Sequence, residues 1–209
     1  MKRDLISSAL AVVVLTLIFG LAFPFVVTGI SQVVWPNKSN GSQIKANGKV
    51  VGSKLIAQPF VIDTGRKDSD GNPITKPDPK YFQPRPSADS YNPAATFFAN
   101  RGPNQKSAKA FYTETLGSYL ALEKPYDSRL TAAQVPVDAV TASASGVDPH
   151  ISQANARVQA HRIAAVRHLS AAEVSKLISD NTDGRFLGVL GEPGVNVTTL
   201  NLALDHVQR

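Results

Sequence analysis

Ser143, Ser145, Asp148 and His150 fall within eight consecutive positions of a 209-residue chain. Hydroxyl, imidazole and carboxylate are the parts of a hydrolytic triad. That chemistry needs the imidazole within hydrogen-bond reach of the nucleophile and a third group orienting it. Neighbours on one loop do not readily aim at each other, and the chain has no G-x-S-x-G elbow. The competing reading is a loop whose hydroxyls and Asp148 bond their own backbone and cap the next helix. Asp63-Thr64-Gly65 has the D-T-G order of an aspartic protease turn. Two carboxylates must share a proton there, and no second D-T-G or D-S-G exists, so a strand end running into a turn is expected. Asp68-Ser69-Asp70-Gly71-Asn72 offers oxygens to calcium, yet Pro73 and Pro79 stand where such a loop needs glycine and a closing glutamate. His161 and His168 are seven apart with no carboxylate at ligand spacing, so no metal site is expected. The absence of cysteine rules out thiolate catalysis, disulfide scaffolds and cysteine-ligated metals.

The formal charge of +6, from 22 basic against 16 acidic residues, is scattered and is no nucleic-acid footprint. The apolar residues are concentrated, with 22 of them in the 31 positions from Leu5 to Trp35, and no charge lies between Asp4 and Lys38. About 20 helical residues cross a bilayer. The expected organisation is a cytoplasmic N-terminus over 1–4, a transmembrane helix over 5–29, a juxtamembrane linker over 30–40 and an extracytoplasmic domain over 41–209. Leu5, Leu10, Leu15, Phe19 and Phe23 form the anchor, with Trp35 at the interface. Pro24 is expected to kink the helix or end its regular part. The run exceeds the apolar core of a secretory signal and lacks a small-x-small cleavage site, so the anchor is expected to be retained. Lys2 and Arg3 favour a cytoplasmic N-terminus, while Lys38, Lys45, Lys49 and Lys54 pull the other way. Long domains translocate largely regardless of charge, which tips the expectation outward.

The remainder reads as one small mixed domain, giving an α+β fold class behind a single span. Asn47-Gly48 between Gln43-Ile44-Lys45 and Lys49-Val50-Val51 predicts a type I′ hairpin. Lys54 to Ile62 reads as extended and Thr64 to Pro93 as loop. Helices are expected over Ala108–Leu122, from a Ser152 cap to near His168, from a Ser170-x-x-Glu173 capping box to before Gly184, and through Leu200, Ala203, Leu204 and Val207. Phe186 to Leu190 reads as a strand and Gly191-Glu192-Pro193-Gly194 as a turn.

The order of blocks carries more than any one motif. Behind the anchor come Val51-Gly52-Ser53-Lys54-Leu55-Ile56-Ala57-Gln58 and Tyr81-Phe82-Gln83-Pro84-Arg85-Pro86-Ser87-Ala88. Next are Val135-Pro136-Val137-Asp138-Ala139-Val140-Thr141-Ala142-Ser143 and Gly146-Val147-Asp148-Pro149-His150-Ile151-Ser152. Gln159 with Arg162 follows, and then Gly191-Glu192-Pro193-Gly194-Val195-Asn196-Val197. This series resembles the C subunit of the Kdp potassium-transporting P-type ATPase over nearly the whole chain. It departs in a longer stretch from Val61 to Pro79 and in Ala144 where glycine is common. The resemblance implies a non-catalytic accessory subunit of a high-affinity potassium uptake complex in the inner (plasma) membrane, with its domain outside. It also implies partners: a channel-like A subunit, the ATP-hydrolysing B subunit and a small F subunit, beside the bilayer itself. ATP would enter through the B subunit, whose nucleotide affinity this chaperone-like subunit raises, and potassium is the transported ion. No cofactor is assigned to this chain. Arg85, Pro86, Ser87, Asp148, Pro149, His150, Gln159, Arg162 and Asn196 are the motif positions expected to hold the domain's polar framework or a partner contact. The rival readings are a membrane-anchored serine hydrolase using Ser145 and His150, and a generic anchored binding domain.

Overall fold

With no charge to solvate and few residues that break a helix, the apolar run coils as α1 (Lys2–Leu17), a π-helical turn (Ile18–Ala22) and α2 (Phe23–Val34). The computed structural model describes residues 1–94, 100–102 and 104–207. Pro24 lies in the first turn of α2, and the wider π turn just before it takes up the missing N–H and the ring. Regular α geometry is thus interrupted just before Pro24, at Ile18–Ala22, but the helix does not end there. It continues through Val34, past residue 29 and into the stretch read as linker. A four-residue α3 (Pro36–Ser39) follows. The whole Lys2–Val34 helix is apolar enough to cross a membrane, and none of it is buried.

The chain divides into two units, Met1–Val51 and the part from Gly52 onward. The expected hairpin pairs β1 (Gln43–Ala46) with β2 (Lys49–Ser53), whose last two residues already belong to the second unit, and is turned by Asn47 at φ 50° and Gly48 at φ 76°.

In the second unit several expectations about local structure fail. The stretch from 64 to 93 is not all loop, because β3 (Val61–Lys67) pairs antiparallel with β4 (Pro73–Pro77). Asp68 makes this hairpin by accepting the Asp70 and Asn72 N–H groups at 2.9 and 2.8 Å. Nearly every side chain in it is exposed, so it carries no apolar alternation. Asp63-Thr64-Gly65 lies inside β3 at a bulge and not at a strand end. The expected extended stretch over 54–62 becomes strand only at Val61, after a turn and a single bridge between Ser53 and Ile56.

The domain is otherwise built from α4 (Lys106–Glu123), β5 (His150–Ile151), α5 (Gln153–Arg167), α6 (Ala171–Asp180), β6 (Thr182–Asp183), β7 (Gly194–Asn196) and α7 (Val197–Val207). The three short strands form an antiparallel sheet in the order β5-β7-β6, with His150 opposite Asn196 and Asp183 opposite Gly194. Phe186 to Leu190 is no strand. It is a tight turn closed by one Phe186–Leu190 bridge, with Leu187 at φ 53° and Gly188 at φ 78°.

Helix starts follow the capping residues. Ser152 Oγ accepts the Asn155 N–H at 3.0 Å, and Ser170 and Glu173 cap each other reciprocally. The main core gathers Phe82, Ile151, Ile163, Val174, Val195, Leu200 and Leu204, and a smaller cluster joins Tyr119, Leu130 and Ala139. This is an α+β domain behind an apolar helix.

Candidate functional site

Asp148 opens the turn into β5, where its Oδ1 accepts the His150 backbone N–H at 3.0 Å. Arg85 Nη1 stands 3.6 Å from Asp148 Oδ2, and its Nη2 donates to the Ala142 carbonyl at 3.1 Å. One guanidinium therefore ties the Tyr81–Ala88 block to the loop before β5. His150 continues the chain: Nδ1 is 3.5 Å from Asp148 Oδ1, and Nε2 is 2.9 Å from Asp183 Oδ2 at the end of β6. The order Arg85–Asp148–His150–Asp183 alternates in charge once His150 is protonated.

The Asp148 carboxylate at Nδ1 raises the His150 pKa above its ordinary 6.5, partial burial opposes this, and Asp183 at Nε2 adds to the rise. Burial alone would lift Asp148. Hydrogen bonding and charge from His150, with Arg85 beside it, outweigh burial and hold the carboxyl below its ordinary 3.8. A general base needs a ring nitrogen facing its nucleophile. Here both nitrogens face carboxylates, while Ser145 Oγ accepts the Val147 N–H at 3.2 Å and lies 3.5 Å from Ser143 Oγ. The four residues that suggested a triad are close in sequence but not joined as one.

A second, buried web stands on α5. Arg162 is fully buried: Nε donates to Glu123 Oε1 at 3.0 Å, Nη1 to the Pro79 and Tyr81 carbonyls at 2.6 and 2.9 Å, and Nη2 to Gln159 Oε1 at 2.9 Å. Gln159 in turn accepts the Gln83 N–H at 2.7 Å and returns its own N–H to the Gln83 carbonyl at 3.0 Å. Burying a charge pair is costly unless its remaining groups are hydrogen-bonded; the Pro79 and Tyr81 carbonyls and Gln159 do this for Arg162, while Glu123 Oε2 has no partner among the described residues. Asn201 of α7 grips the same segment by bonding both the N–H and the carbonyl of Phe82 at 2.9 Å. Burial pushes the Glu123 carboxyl upward, against the opposing pull of Arg162.

The other motif positions serve locally. Pro149 is buried, and its carbonyl accepts the Val197 N–H at 2.9 Å. Asn196 bonds the Lys54 carbonyl at 2.8 Å and accepts the Thr199 N–H at the start of α7. Ser87, after Pro86, donates to Asp89 at 2.6 Å and accepts the Tyr91 N–H at 2.9 Å, forming a turn. Leu5, Leu10, Leu15, Phe19, Phe23 and Trp35 are all more than half exposed.

Four residues that sequence reasoning did not single out belong to the site: Glu123, Asp138, Asp183 and Asn201. Asp138 accepts the Ser152 N–H and hydroxyl, both at 2.8 Å, and the Asn155 amide at 3.1 Å. Glu123 left one trace, since it sits four residues after Tyr119 on the helix face that packs inward. Between α5 and α6 runs an open groove of about 680 Å³, lined in part by Arg157, His161, Ser175 and Thr182.

None of these arrangements assembles a nucleophile and its base, so whole-chain similarity decides the assignment. The family model described as the K+-transporting ATPase c chain, KdpC, matches residues 5–206. The chain belongs to the KdpC family. Relatives called potassium-transporting ATPase KdpC subunit include one from Mycobacterium tuberculosis H37Rv, 40% identical over 99% of this chain and all of its own. Another from Geobacter sulfurreducens is 42% identical over 97% of each chain, and one from Koribacter versatilis is 40% identical over all of this chain and 97% of its own. The α+β domain and the apolar helix are thus parts of a KdpC-type subunit of a potassium-transporting ATPase, and that helix is long and apolar enough to cross a membrane.

Proposed function

We propose that this KdpC-family chain is a non-catalytic accessory subunit of a high-affinity, ATP-driven potassium uptake complex. It assembles with and stabilises the channel-like A subunit, the P-type B subunit and the small F subunit. The observation that carries this reading is the commitment of the motif side chains to the domain's own framework. Arg85, Asp148, His150, Gln159 and Arg162 all bond within the chain. What such a chain presents to a partner is a shaped surface and a lipid-facing helix, and hydrolysis belongs to the partner.

The helix crosses the inner membrane once and the domain lies outside, over the mouth of the channel-like subunit. ATP is cytoplasmic, so the subunit raises the ATP affinity of its partner across the bilayer by population shift. It binds one state of the pump better than the other, and linkage then changes nucleotide affinity by the same factor. The test is purification of the complex with and without this chain. Loss of the chain is expected to lower complex recovery and weaken the ATP dependence of potassium-stimulated hydrolysis. Recovery of a pump with unchanged ATP dependence would overturn the reading. A Ser175→Cys variant labelled by an impermeant thiol reagent only after lysis would overturn the sidedness.

A further inference from the structure

The arm from Gly184 to Pro193 leaves the small sheet at Asp183 and returns at Gly194, which face each other across β6 and β7. Among the described residues its side-chain hydrogen bonds stay within it, where Arg185 Nη2 reaches both carboxylate oxygens of Glu192 at 3.0 Å. Phe186, Leu187, Val189 and Leu190 are each more than half exposed, so little burial holds the arm down. Its roots, β6 and the start of β7, are strands of two and three residues, too short to be strong by themselves.

His150 on β5 reaches both legs of the arm. Its Nε2 lies 2.9 Å from Asp183 Oδ2, and a Cβ added at Gly194 would meet the His150 Cβ at 3.2 Å and its ring at 3.3–3.4 Å. Two acids face the ring: Asp183 from β6, and Asp148 from the turn before β5, 3.5 Å from Nδ1 and backed by Arg85 at 3.6 Å. From β7 it meets only Gly194 and its strand partner Asn196, which carry no charge. With a carboxylate at each nitrogen, only the imidazolium donates to both. The neutral ring has one N–H and turns a lone pair toward one of the acids. Those acids are not held alike. Asp148 also accepts the His150 backbone N–H at 3.0 Å and has Arg85 beside it, whereas Asp183 is largely exposed and has His150 as its side-chain partner among the described residues. Asp183 is therefore the acid free to swing away.

We propose that His150 is a proton-operated clasp: charged, it fastens the 184–193 arm to the sheet at both legs, and neutral, it lets the Asp183 leg go. The surrounding pH then sets how firmly the arm is held, whichever subunit the chain meets. The Asp148 hydrogen bond lifts the His150 pKa above its ordinary 6.5, partial burial opposes this, and Asp183 adds to the rise. The clasp is thus strongest below 6.5 and is lost as pH rises through the higher value.

The chain has no cysteine, so Leu187→Cys on the arm and Val137→Cys away from it each take a single nitroxide label in the full chain in detergent. From pH 5.5 to pH 8.5 the mobile fraction at 187, read by electron paramagnetic resonance, should rise about threefold, the scale of a half-exposed ion pair, while 137 stays flat. In His150→Gln and in Asp183→Asn the label at 187 should be mobile at both pH values, with helix content by circular dichroism unchanged. The midpoint should coincide with the titration of the His150 ring read by NMR. A label at 187 that ignores pH in the otherwise unaltered chain, a pH response that survives in His150→Gln, or a midpoint apart from that of the ring would overturn the clasp. Loss of helix content in step with label mobility would also overturn it, since the domain and not the arm would then be opening.

Discussion

Arg162 and Glu123 meet at 3.0 Å with both side chains almost wholly buried, and among the described residues the second Glu123 oxygen has no hydrogen-bond partner. Removing one charge leaves the other stranded. Arg162→Met is therefore expected to destabilise the domain by about 3–5 kcal/mol, and Arg162→Met/Glu123→Leu by clearly less. Denaturant unfolding of the full chain in detergent measures both. Equal losses in the single and double variants would contradict the pairing.

His150 sets a dependence on pH. Its folded pKa is raised, so the stability it lends is fully present below 6.5 and is lost as pH rises through the higher folded value. Asp148 is depressed, so its contribution is present above 3.8 and lost as pH falls through its lower folded value. Screening at this half-exposed site keeps the His150 contribution to about 1 kcal/mol or less. Melting temperature should fall slightly from pH 6 to pH 8 in the wild type, and this slope should flatten in His150→Gln.

A methyl group at Gly194 would meet His150 Cβ at 3.2 Å and its ring at 3.3–3.4 Å, so the His150 side chain would have to give by a few tenths of an ångström. Gly194→Ala should cost about 1–3 kcal/mol by overpacking. In His150→Ala/Gly194→Ala the part of that cost due to the ring, 3.3–3.4 Å away, should vanish, while the contact with the retained Cβ at 3.2 Å stays. A double-mutant cycle on melting data reads this coupling directly. Additive losses would mean that the ring is not what the methyl meets.

Asn201 satisfies two buried backbone groups of Phe82 with one amide. Asn201→Ala leaves both unpaired, and a loss of about 2–4 kcal/mol is expected. Amide exchange at Phe82 should accelerate in step, and unchanged protection there would contradict the assignment.

Helix caps were legible because they are local: Ser152 and Ser170 announce their helices from one turn of sequence, and Asn47-Gly48 its hairpin. The β3–β4 hairpin was not, since neither strand buries a face and the apolar alternation that marks strands is absent. Within the polar web, Gln159 and Arg162 were marked by the family resemblance alone and not by any periodicity, for the opposite reason. Asn155, Gln159 and Arg162 occupy inward positions of α5, where a periodicity reading looks for apolar residues. Which acid pairs with Arg162 depends on a helix 39 residues upstream, and no local pattern carries a contact at that separation. Asp183 likewise meets His150 only because two-residue strands bring them together.

The anchor has one last consequence. Its apolar stretch from Leu5 to Trp35 rises about 1.5 Å per residue where helical, roughly 46 Å in all, against about 30 Å of hydrocarbon. The excess greasy length must be hidden by leaning over or by lying alongside another spanning protein. Bilayer thickness thereby becomes a variable that the subunit feels: shorter acyl chains enlarge the mismatch and reward lateral company, while thicker membranes let the rod stand alone.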